Sequence, residues 1–392
     1  MYAEKGSQWR RMPRLRRIIS LFALVSFLLV ACGTGVQNAN WPGVTADGNV
    51  VYVAYGVGVI AVDVASQELL WSFPDEPRAG LLFYAPPSVG DEQVVLGDFG
   101  VSGGFFSPGT TVTVYALEAG ATNSGPDVLW SRDDVATDRI VASPLQADER
   151  VYVGTSDNHV VALDASSGEL IWDYETDHSI WAQPLSSDGV LYAASLDNFV
   201  YALDAATGDL IWQKELNGSI AGNMVLDDGV LYVPSFDRAV HALDPETGDE
   251  LWQAAATNWV WGAPALNDDF IYYADLDGNV FAASREDGEI AWQKEVPGVI
   301  QSAPLYADGR VFVTAGDVGG DADAPTGRIV AFDAETGDEL WQQSIPAALL
   351  TNPVMVDSGV VVAINEGATV RLLVFDPESG AQVWSFTPPA EG

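Results

Sequence analysis

The 392-residue chain has one cysteine, three histidines and few basic side chains. The single cysteine, Cys32, excludes an intramolecular disulfide. The 17 Lys and Arg residues face 55 Asp and Glu residues, giving a net charge of −38. Such a surface makes nucleic acid and anionic lipid headgroups poor partners. The histidines (His159, His178 and His241) lack the spacing of metal ligands. No helical period occurs beyond residue 32, so we expect an all-β protein.

Tryptophan, in contrast, recurs at near-regular intervals. Most of the recurring tryptophans close one phrase, seen in Asp164-Ala-Ser-Ser-Gly168-Glu-Leu-Ile-Trp172. From Trp130 to Trp292 the steps are 42, 40, 40 and 40 residues. A period near 40 is typical of repeat architectures. The eight positions are Trp71, Trp130, Trp172, Trp212, Trp252, Trp292, Trp341 and Trp384.

Each repeat predicts a small antiparallel sheet. In the unit at 181–212, runs of strand-forming residues predict strands at 181–185, 190–194, 199–203 and 210–212. The pair Asp188-Gly189 predicts a two-residue hairpin turn. Eight such units can bury both faces of every sheet only by stacking around an axis. We therefore predict an eight-bladed β-propeller of four-stranded antiparallel blades over 41–392, with the repeat tryptophans packed between blades.

The N-terminus predicts export. Six basic residues in 1–17 precede an apolar segment, Ile18 to Ala31, that is short for a membrane span. Leu29-Val30-Ala31-Cys32 resembles the lipobox of bacterial lipoproteins, which implies a signal peptide at 1–31, an acylated (palmitate-bearing) Cys32 and a tether at 32–40. Cleavage of the signal peptide would remove six basic residues and one acidic residue. The mature chain would then have 11 Lys and Arg residues against 54 Asp and Glu residues. We expect an extracytoplasmic protein anchored to a bacterial membrane, on the periplasmic face of the outer membrane or at the cell surface.

The phrase Leu-Asp-x-x-Thr-Gly-x-x-x-Trp after Val-Tyr-Ala resembles the repeat of pyrroloquinoline-quinone (PQQ)-type propellers over roughly 41–392. One branch of that family holds quinoprotein dehydrogenases that bind PQQ and Ca²⁺. The other holds non-enzymatic propellers, including a lipoprotein of the outer-membrane β-barrel assembly machinery. Length, anchor and blade count are similar to the second branch. The resemblance implies a non-enzymatic scaffold for a protein partner, with outer-membrane protein assembly as one role. The alternatives are a PQQ/Ca-dependent dehydrogenase and a surface ligand-binding or sensing propeller.

The quinoprotein alternative has little support in the residues. Enzymes of the alcohol-dehydrogenase type carry a vicinal disulfide, which a chain with one cysteine cannot form. Nearly every aspartate already has a turn role, so we expect no catalytic residue and neither PQQ nor Ca²⁺. Asp317, Asp321 and Asp323 are weak candidates for Ca²⁺ ligands. The simpler interpretation of this segment is an acidic, solvated loop. We expect a monomeric ring that binds the membrane through its lipid and a protein through its surface, and no nucleic acid.

Binding residues are expected where the repeats differ. The turns between second and third strands and the connections between blades lie on one face, which collects the insertions. A glycine-rich insertion at 97–109 carries Phe99, Phe105 and Phe106, which either anchor a partner or fold back onto the ring. At the starts of blades stand aromatic and amide residues that either bind a peptide or sugar or plug the channel. These are Trp181, Trp259, Trp261, Gln183, Asn223 and Gln301.

Overall fold

The computed structural model describes residues 42–102, 110–121, 125–317, 326–365 and 369–388. Five residues singled out above lie outside these ranges: Cys32, Phe105, Phe106, Asp321 and Asp323. Within the described ranges, regular structure consists of strands alone. A helix long and apolar enough to cross a membrane is not found there.

Eight four-stranded antiparallel sheets follow one another along the chain. Blade 1 is β1 (Gly43–Asp47), β2 (Val50–Ala54), β3 (Val59–Asp63) and β4 (Glu68–Phe73). Blade 2 is β5 (Ser88–Val89), β6 (Gln93–Gly97), β9 (Val114–Glu118) and β10 (Val128–Arg132), with a ribbon of β7 (Val101–Ser102) and β8 (Thr110–Thr111) inserted. Blade 3 is β11 (Leu145–Ala147), β12 (Arg150–Gly154), β13 (His159–Asp164) and β14 (Leu170–Glu175). Blade 4 is β15 (Leu185–Ser187), β16 (Val190–Ala194), β17 (Phe199–Asp204) and β18 (Leu210–Glu215).

The second half repeats this order. Blade 5 is β19 (Val225–Asp227), β20 (Val230–Ser235), β21 (Ala239–Leu243) and β22 (Glu250–Ala255). Blade 6 is β23 (Ala265–Leu266), β24 (Phe270–Ala274), β25 (Asn279–Ser284) and β26 (Ile290–Glu295). Blade 7 is β27 (Leu305–Ala307), β28 (Arg310–Asp317), β29 (Thr326–Asp333) and β30 (Glu339–Ile345). Blade 8 is β31 (Val354–Val356), β32 (Gly359–Asn365), β33 (Val370–Phe375) and β34 (Gln382–Phe386).

The predicted fold is confirmed: the chain is an eight-bladed β-propeller. First strands of neighbouring blades contact each other, as β1 does with both β5 and β31, so the first strands form the innermost ring. The fourth strands are the outer edges. Bulges occur where the third and fourth strands pair, for example between Ala162 and Leu163. A bulge on an edge strand twists that edge and discourages pairing with another chain.

Three strands in the unit at 181–212 differ from the prediction, the third only in running one residue further, to Asp204. The first strand is Leu185–Ser187, not 181–185, because Pro184 has no N–H for a ladder and the backbone before it bonds to the next blade instead. The fourth strand runs on to Glu215, because the alternating polar residues after Trp212 suit an exposed edge. The predicted hairpin turn is confirmed, with φ of 50° at Asp188 and 79° at Gly189.

The ring has two different faces. We call the turn face the one that holds the first-to-second and third-to-fourth turns; Ala205 N–H, in a third-to-fourth turn, donates to Gly189 O at 2.9 Å. We call the loop face the one that holds the second-to-third turns (155–158, 195–198, 235–238 and 275–278 in blades 3 to 6) and the connections between blades. On this face Leu196 N–H donates to Ser179 O at 3.0 Å, joining a turn to a connection.

The repeat tryptophans join neighbouring blades, as predicted. Trp172 is buried, and its indole Nε1–H donates to Ala205 O of blade 4 at 3.1 Å. Trp212, Trp252, Trp292 and Trp341 make the same bond to the next blade's third-to-fourth turn, at 3.0 to 3.2 Å. Each of these five repeats therefore supplies both an apolar wedge and a hydrogen bond to its successor.

Blade 8 closes the ring on blade 1 by packing, without exchanging a strand. Val44 and Ile60 of blade 1 share one buried cluster with Val361 and Leu372 of blade 8. On the turn face, Asn49 Nδ2–H donates to Asp357 Oδ2 at 2.8 Å, and Asp357 N–H donates to Asn49 Oδ1 at 3.1 Å. This reciprocal pair fixes the register of the closing interface.

Candidate functional site

The loop-face mouth of the channel is built from equivalent residues, each four positions before the start of a first strand. In blade 4 this residue is Trp181 and in blade 6 it is Trp261, and both are half-buried. Blade 5 has the small Ala221 between them. The gap left by that alanine lets the two indoles approach across blade 5, with centroids 6.5 Å apart and planes tilted by 40°.

The aromatic row extends outward from this pair. Phe236, in the second-to-third turn of blade 5, lies 5.1 Å from Trp261 between ring centroids. Trp259 then stacks on Phe236 at 4.8 Å with an interplanar angle of 9°. We name Trp181, Trp261, Phe236 and Trp259 the aromatic row. Trp259 is 47% exposed at its outer end, which is unusual for the largest apolar side chain.

Hydrogen bonds hold the row in place. Trp181 Nε1–H donates to Ser156 Oγ at 3.3 Å, which ties the inner end to blade 3. Trp259 N–H donates to Asn258 Oδ1 at 2.7 Å, and Asn258 Nδ2–H donates to Asp277 Oδ1 at 2.7 Å. Phe236 N–H donates to Ser219 O at 2.9 Å. The aromatic surface is therefore anchored at both ends before any partner binds.

A buried histidine between two carboxylates lies in the strand that follows the turn of Phe236. His241 is 1% exposed, and its Nδ1 lies 2.8 Å from Glu250 Oε2 while its Nε2 lies 3.0 Å from Asp237 Oδ2. Burial lowers the pKa of His241, but the hydrogen bonds that its ring donates to Asp237 and Glu250 outweigh this effect and raise the pKa above its usual value. The pKa of Asp237 is lowered by its hydrogen bond to His241, against the opposing effect of burial. Because Asp237 follows Phe236 directly, this ion pair fixes the turn that presents the row.

The predicted amides Gln183 and Asn223 join blades. Asn223 Oδ1 accepts the backbone N–H of Gln183 at 2.8 Å, and Gln183 Nε2–H donates to Pro144 O at 2.9 Å. Asn352 does the same for the backbone N–H of Ala303 at 2.7 Å. These hydrogen bonds show a structural role at the channel rim. Gln301 occupies the leading position of blade 7 and is half-buried.

Phe99 folds toward the ring. Its ring meets Tyr84 edge-on at 5.0 Å, and the guanidinium carbon of Arg139 lies 4.6 Å from its centroid. Asp98, just before it, is buried, and burial raises the pKa of its carboxyl group. That carboxylate accepts N–H groups of Gly100 at 2.9 Å and Thr113 at 3.1 Å, which fixes the base of the insertion.

The side chains that the structure describes form no cluster suited to a metal ion: no three His, Cys, Asp or Glu residues among them are grouped so as to hold one. Asp317 ends β28, is exposed, and pairs across the ladder with Thr326; its predicted co-ligands Asp321 and Asp323 lie outside the described ranges.

A groove on the turn face, between blades 6 and 7, was not predicted. It has a volume of 760 Å³ and is lined by Phe270, Tyr306, Arg285 and several carboxylates. Arg285 is already paired: its Nη2 lies 2.6 Å from Asp227 Oδ2 and its Nη1–H donates to Asn267 O at 2.8 Å. In blade 6 the turn reads Asn267-Asp268-Asp269 where four other blades have Asp-Gly, and this difference was the available sequence signal.

The sequence analysis also missed Phe236. Its equivalents in neighbouring turns are Ser156, Leu196 and Leu276. Two strands separate Phe236 from Trp261 in the sequence. An aromatic residue in a single turn therefore does not indicate by itself that the two side chains are in contact. Aligning the second-to-third turns of blades 3 to 6 would have marked Phe236 as the exception among them.

These features define a PQQ-like β-propeller with an exposed aromatic row at the mouth of its channel. The family model described as "Outer membrane protein assembly factor BamB" matches residues 59–182, 176–259 and 237–385. The chain belongs to this family. A comparison with curated protein sequences found no significant match.

Solved structures share the fold at low sequence identity. BamB from Moraxella catarrhalis is 19% identical with a TM-score of 0.62, covering 91% of this chain and 95% of that one. The computationally designed protein Ika8 is 18% identical with a TM-score of 0.68, covering 87% and 98%. A europium-containing methanol dehydrogenase is 13% identical with a TM-score of 0.60, covering 76% and 77%. At these identities the likeness establishes the fold alone.

Proposed function

We propose that this chain is a non-enzymatic scaffold that binds a protein partner through its loop face, in the assembly of outer-membrane proteins. The observation that carries the proposal is the aromatic row, with Trp259 exposed and stacked on Phe236. Tryptophan held in a fixed rotamer loses little entropy on binding and is the side chain most enriched among binding hot spots. Family membership supports the envelope setting.

The anchor is part of this proposal. The lipobox Leu29-Val30-Ala31-Cys32 would leave Cys32 acylated at the start of the mature chain. A tether at 32–40 would then separate the propeller from the bilayer. The acidic body would be repelled by anionic headgroups, which keeps both faces free for protein partners.

A quinoprotein activity fits the residues less well. PQQ is a polyanionic quinone, so an axial site requires cationic partners. The first strands, which line the axis, carry no Lys or Arg. We therefore propose that the chain needs neither PQQ nor Ca²⁺. Addition of both, with thermal unfolding followed, should leave the melting temperature unchanged, whereas stabilisation by them would support an enzyme.

The scaffold role can be tested by co-purification from native membranes. Trp259→Ala is compared with Leu340→Ala, a residue equally exposed at 47% on the outer strand of blade 7. We expect a β-barrel assembly component to co-purify with the unmodified chain and with Leu340→Ala, and to be lost with Trp259→Ala. Equal recovery from both variants, or no such component with any of them, would contradict the proposal. In parallel, Cys32→Ser should abolish palmitate incorporation and release the chain from the membrane.

A further inference from the structure

The aromatic row is bordered by carboxylates. Asp237 follows Phe236 in the chain, Asp277 is joined to Trp259 through Asn258, and Asp157 follows Ser156, the hydrogen-bond partner of Trp181. The four second-to-third turns of blades 3 to 6 hold five aspartates and one basic residue, Arg238. The aspartates are Asp157, Asp197, Asp237, Asp275 and Asp277.

Most of these carboxylates are fixed by the loop-face backbone. Asp197 Oδ2 accepts the N–H of Asp177 at 3.0 Å, and Asp275 Oδ2 accepts the N–H groups of Thr257 and Asn258 at 3.0 Å. A hydrogen bond from a neutral N–H group fixes the position of a carboxylate without cancelling its negative charge. Asp157, Asp197 and Asp277 therefore place solvent-accessible carboxylates at the border of the row. Asp237 is paired with His241, and Asp275 is fully buried.

Aromatic faces within a negative field favour a cation with a flat, weakly hydrated group. Guanidinium meets this description, since it stacks on tryptophan and forms paired hydrogen bonds to carboxylates. The three centroid separations along the row are 6.5, 5.1 and 4.8 Å. The row is thus longer than one guanidinium group and can accept several side chains of an extended segment, whose same-side residues recur about every 7 Å.

We propose that the aromatic row and its carboxylates bind an arginine-bearing, extended segment of the partner protein, with Trp259 as the outermost stacking platform. Arginine side chains lie over the indole faces, and their charge is balanced by the accessible aspartates Asp157, Asp197 and Asp277. The inference rests on the proposed scaffold function and specifies which part of a partner the row recognises.

The test uses the full chain and three capped peptides: hexa-arginine, hexa-lysine and hexa-glutamate. Binding is followed by tryptophan fluorescence at about 0.05 M and about 0.5 M salt, which separates screened from short-range contributions. We expect hexa-arginine to bind at least about threefold more tightly than hexa-lysine because of stacking, and hexa-glutamate not to bind. Trp259→Ala should remove the preference for arginine, while Leu340→Ala should retain it.

Equal binding of hexa-arginine and hexa-lysine would overturn the inference, because general attraction to an acidic surface would then account for the signal. An arginine preference that survives Trp259→Ala, with the variant folded by circular dichroism, would overturn it as well. Neither result bears on the scaffold role, because the co-purification test makes no assumption about the charge of the partner.

Discussion

Trp172 of blade 3 and Gly208 of blade 4 form the contact that repeats around the ring. The turn carrying Gly208 lies on the indole face, and a Cβ built on Gly208 would come within 2.7 Å of Trp172 Cδ2. The same turn offers the Ala205 carbonyl to the indole N–H. Glycine at this turn is required twice, by its φ of 76° and by the indole against it.

Two glycine substitutions separate these requirements. Gly189→Ala has a similar φ of 79° with open space around the new Cβ, so it reports backbone strain alone. We expect Gly189→Ala to lower the unfolding free energy by about 1 kcal/mol and Gly208→Ala by about 2–4 kcal/mol. Urea unfolding measures both. Equal losses would show that the Trp172 contact contributes nothing to the interface between blades.

The buried ion pair predicts a pH dependence. A histidine whose folded pKa is raised stabilises the protein fully below its unfolded pKa of about 6.5, and this contribution is lost as pH rises through the folded pKa. Asp237, with its lowered pKa, contributes above its unfolded value and loses that contribution as pH falls through its folded pKa. His241→Gln should therefore cost about 2 kcal/mol near pH 6 and clearly less at pH 9. Thermal unfolding across that range provides the measurement, and a pH-independent loss would refute the charged state of His241.

The rim amide Asn223 is expected to matter for stability. Because its Oδ1 accepts the backbone N–H of Gln183 in the previous blade, Asn223→Ala should lower the unfolding free energy by about 1 kcal/mol. Trp259→Ala removes a side chain that is half exposed but stacked on Phe236, and should lower the unfolding free energy by about 0.5–1.5 kcal/mol. Chemical denaturation of both variants decides this, and an unchanged stability for Asn223→Ala would leave ligand binding as its role.

Because the ring closes by packing, we predict that the chain can be circularly permuted without loss of the fold. Every connection runs from an outer fourth strand to an inner first strand, as the nine residues between β18 and β19 do. A permutant opened within 216–224, with residue 388 joined to residue 42 by a linker of similar length, should keep the strand content and a cooperative transition. Loss of cooperativity would indicate that the interface between blades 8 and 1 is not equivalent to the others.

The repeat made most of the fold predictable, because each blade carries its own turns, strand formers and closing tryptophan. Predicting the first strand at 181–185 failed because Pro184 shifts the ladder toward Leu185, and the backbone bonds of Gln183 go to another blade. Trp181, Trp259 and Trp261 were identified as departures from the repeat. Their contact with Phe236 was not predictable, because it depends on the curvature of the ring and on the small side chain of Ala221 between Trp181 and Trp261. The role of Asn223 between blades was hidden for the same reason.

The most direct test of the account places a photo-crosslinking amino acid at three positions of the chain in its native membranes. Position 259 probes the aromatic row, position 340 the outer edge and position 188 the turn face. The account predicts a crosslink to a β-barrel assembly component from position 259, and none above background from positions 340 and 188. Crosslinks from position 188 or 340 to that component, with none from position 259, would contradict the assignment of the loop face as the binding surface.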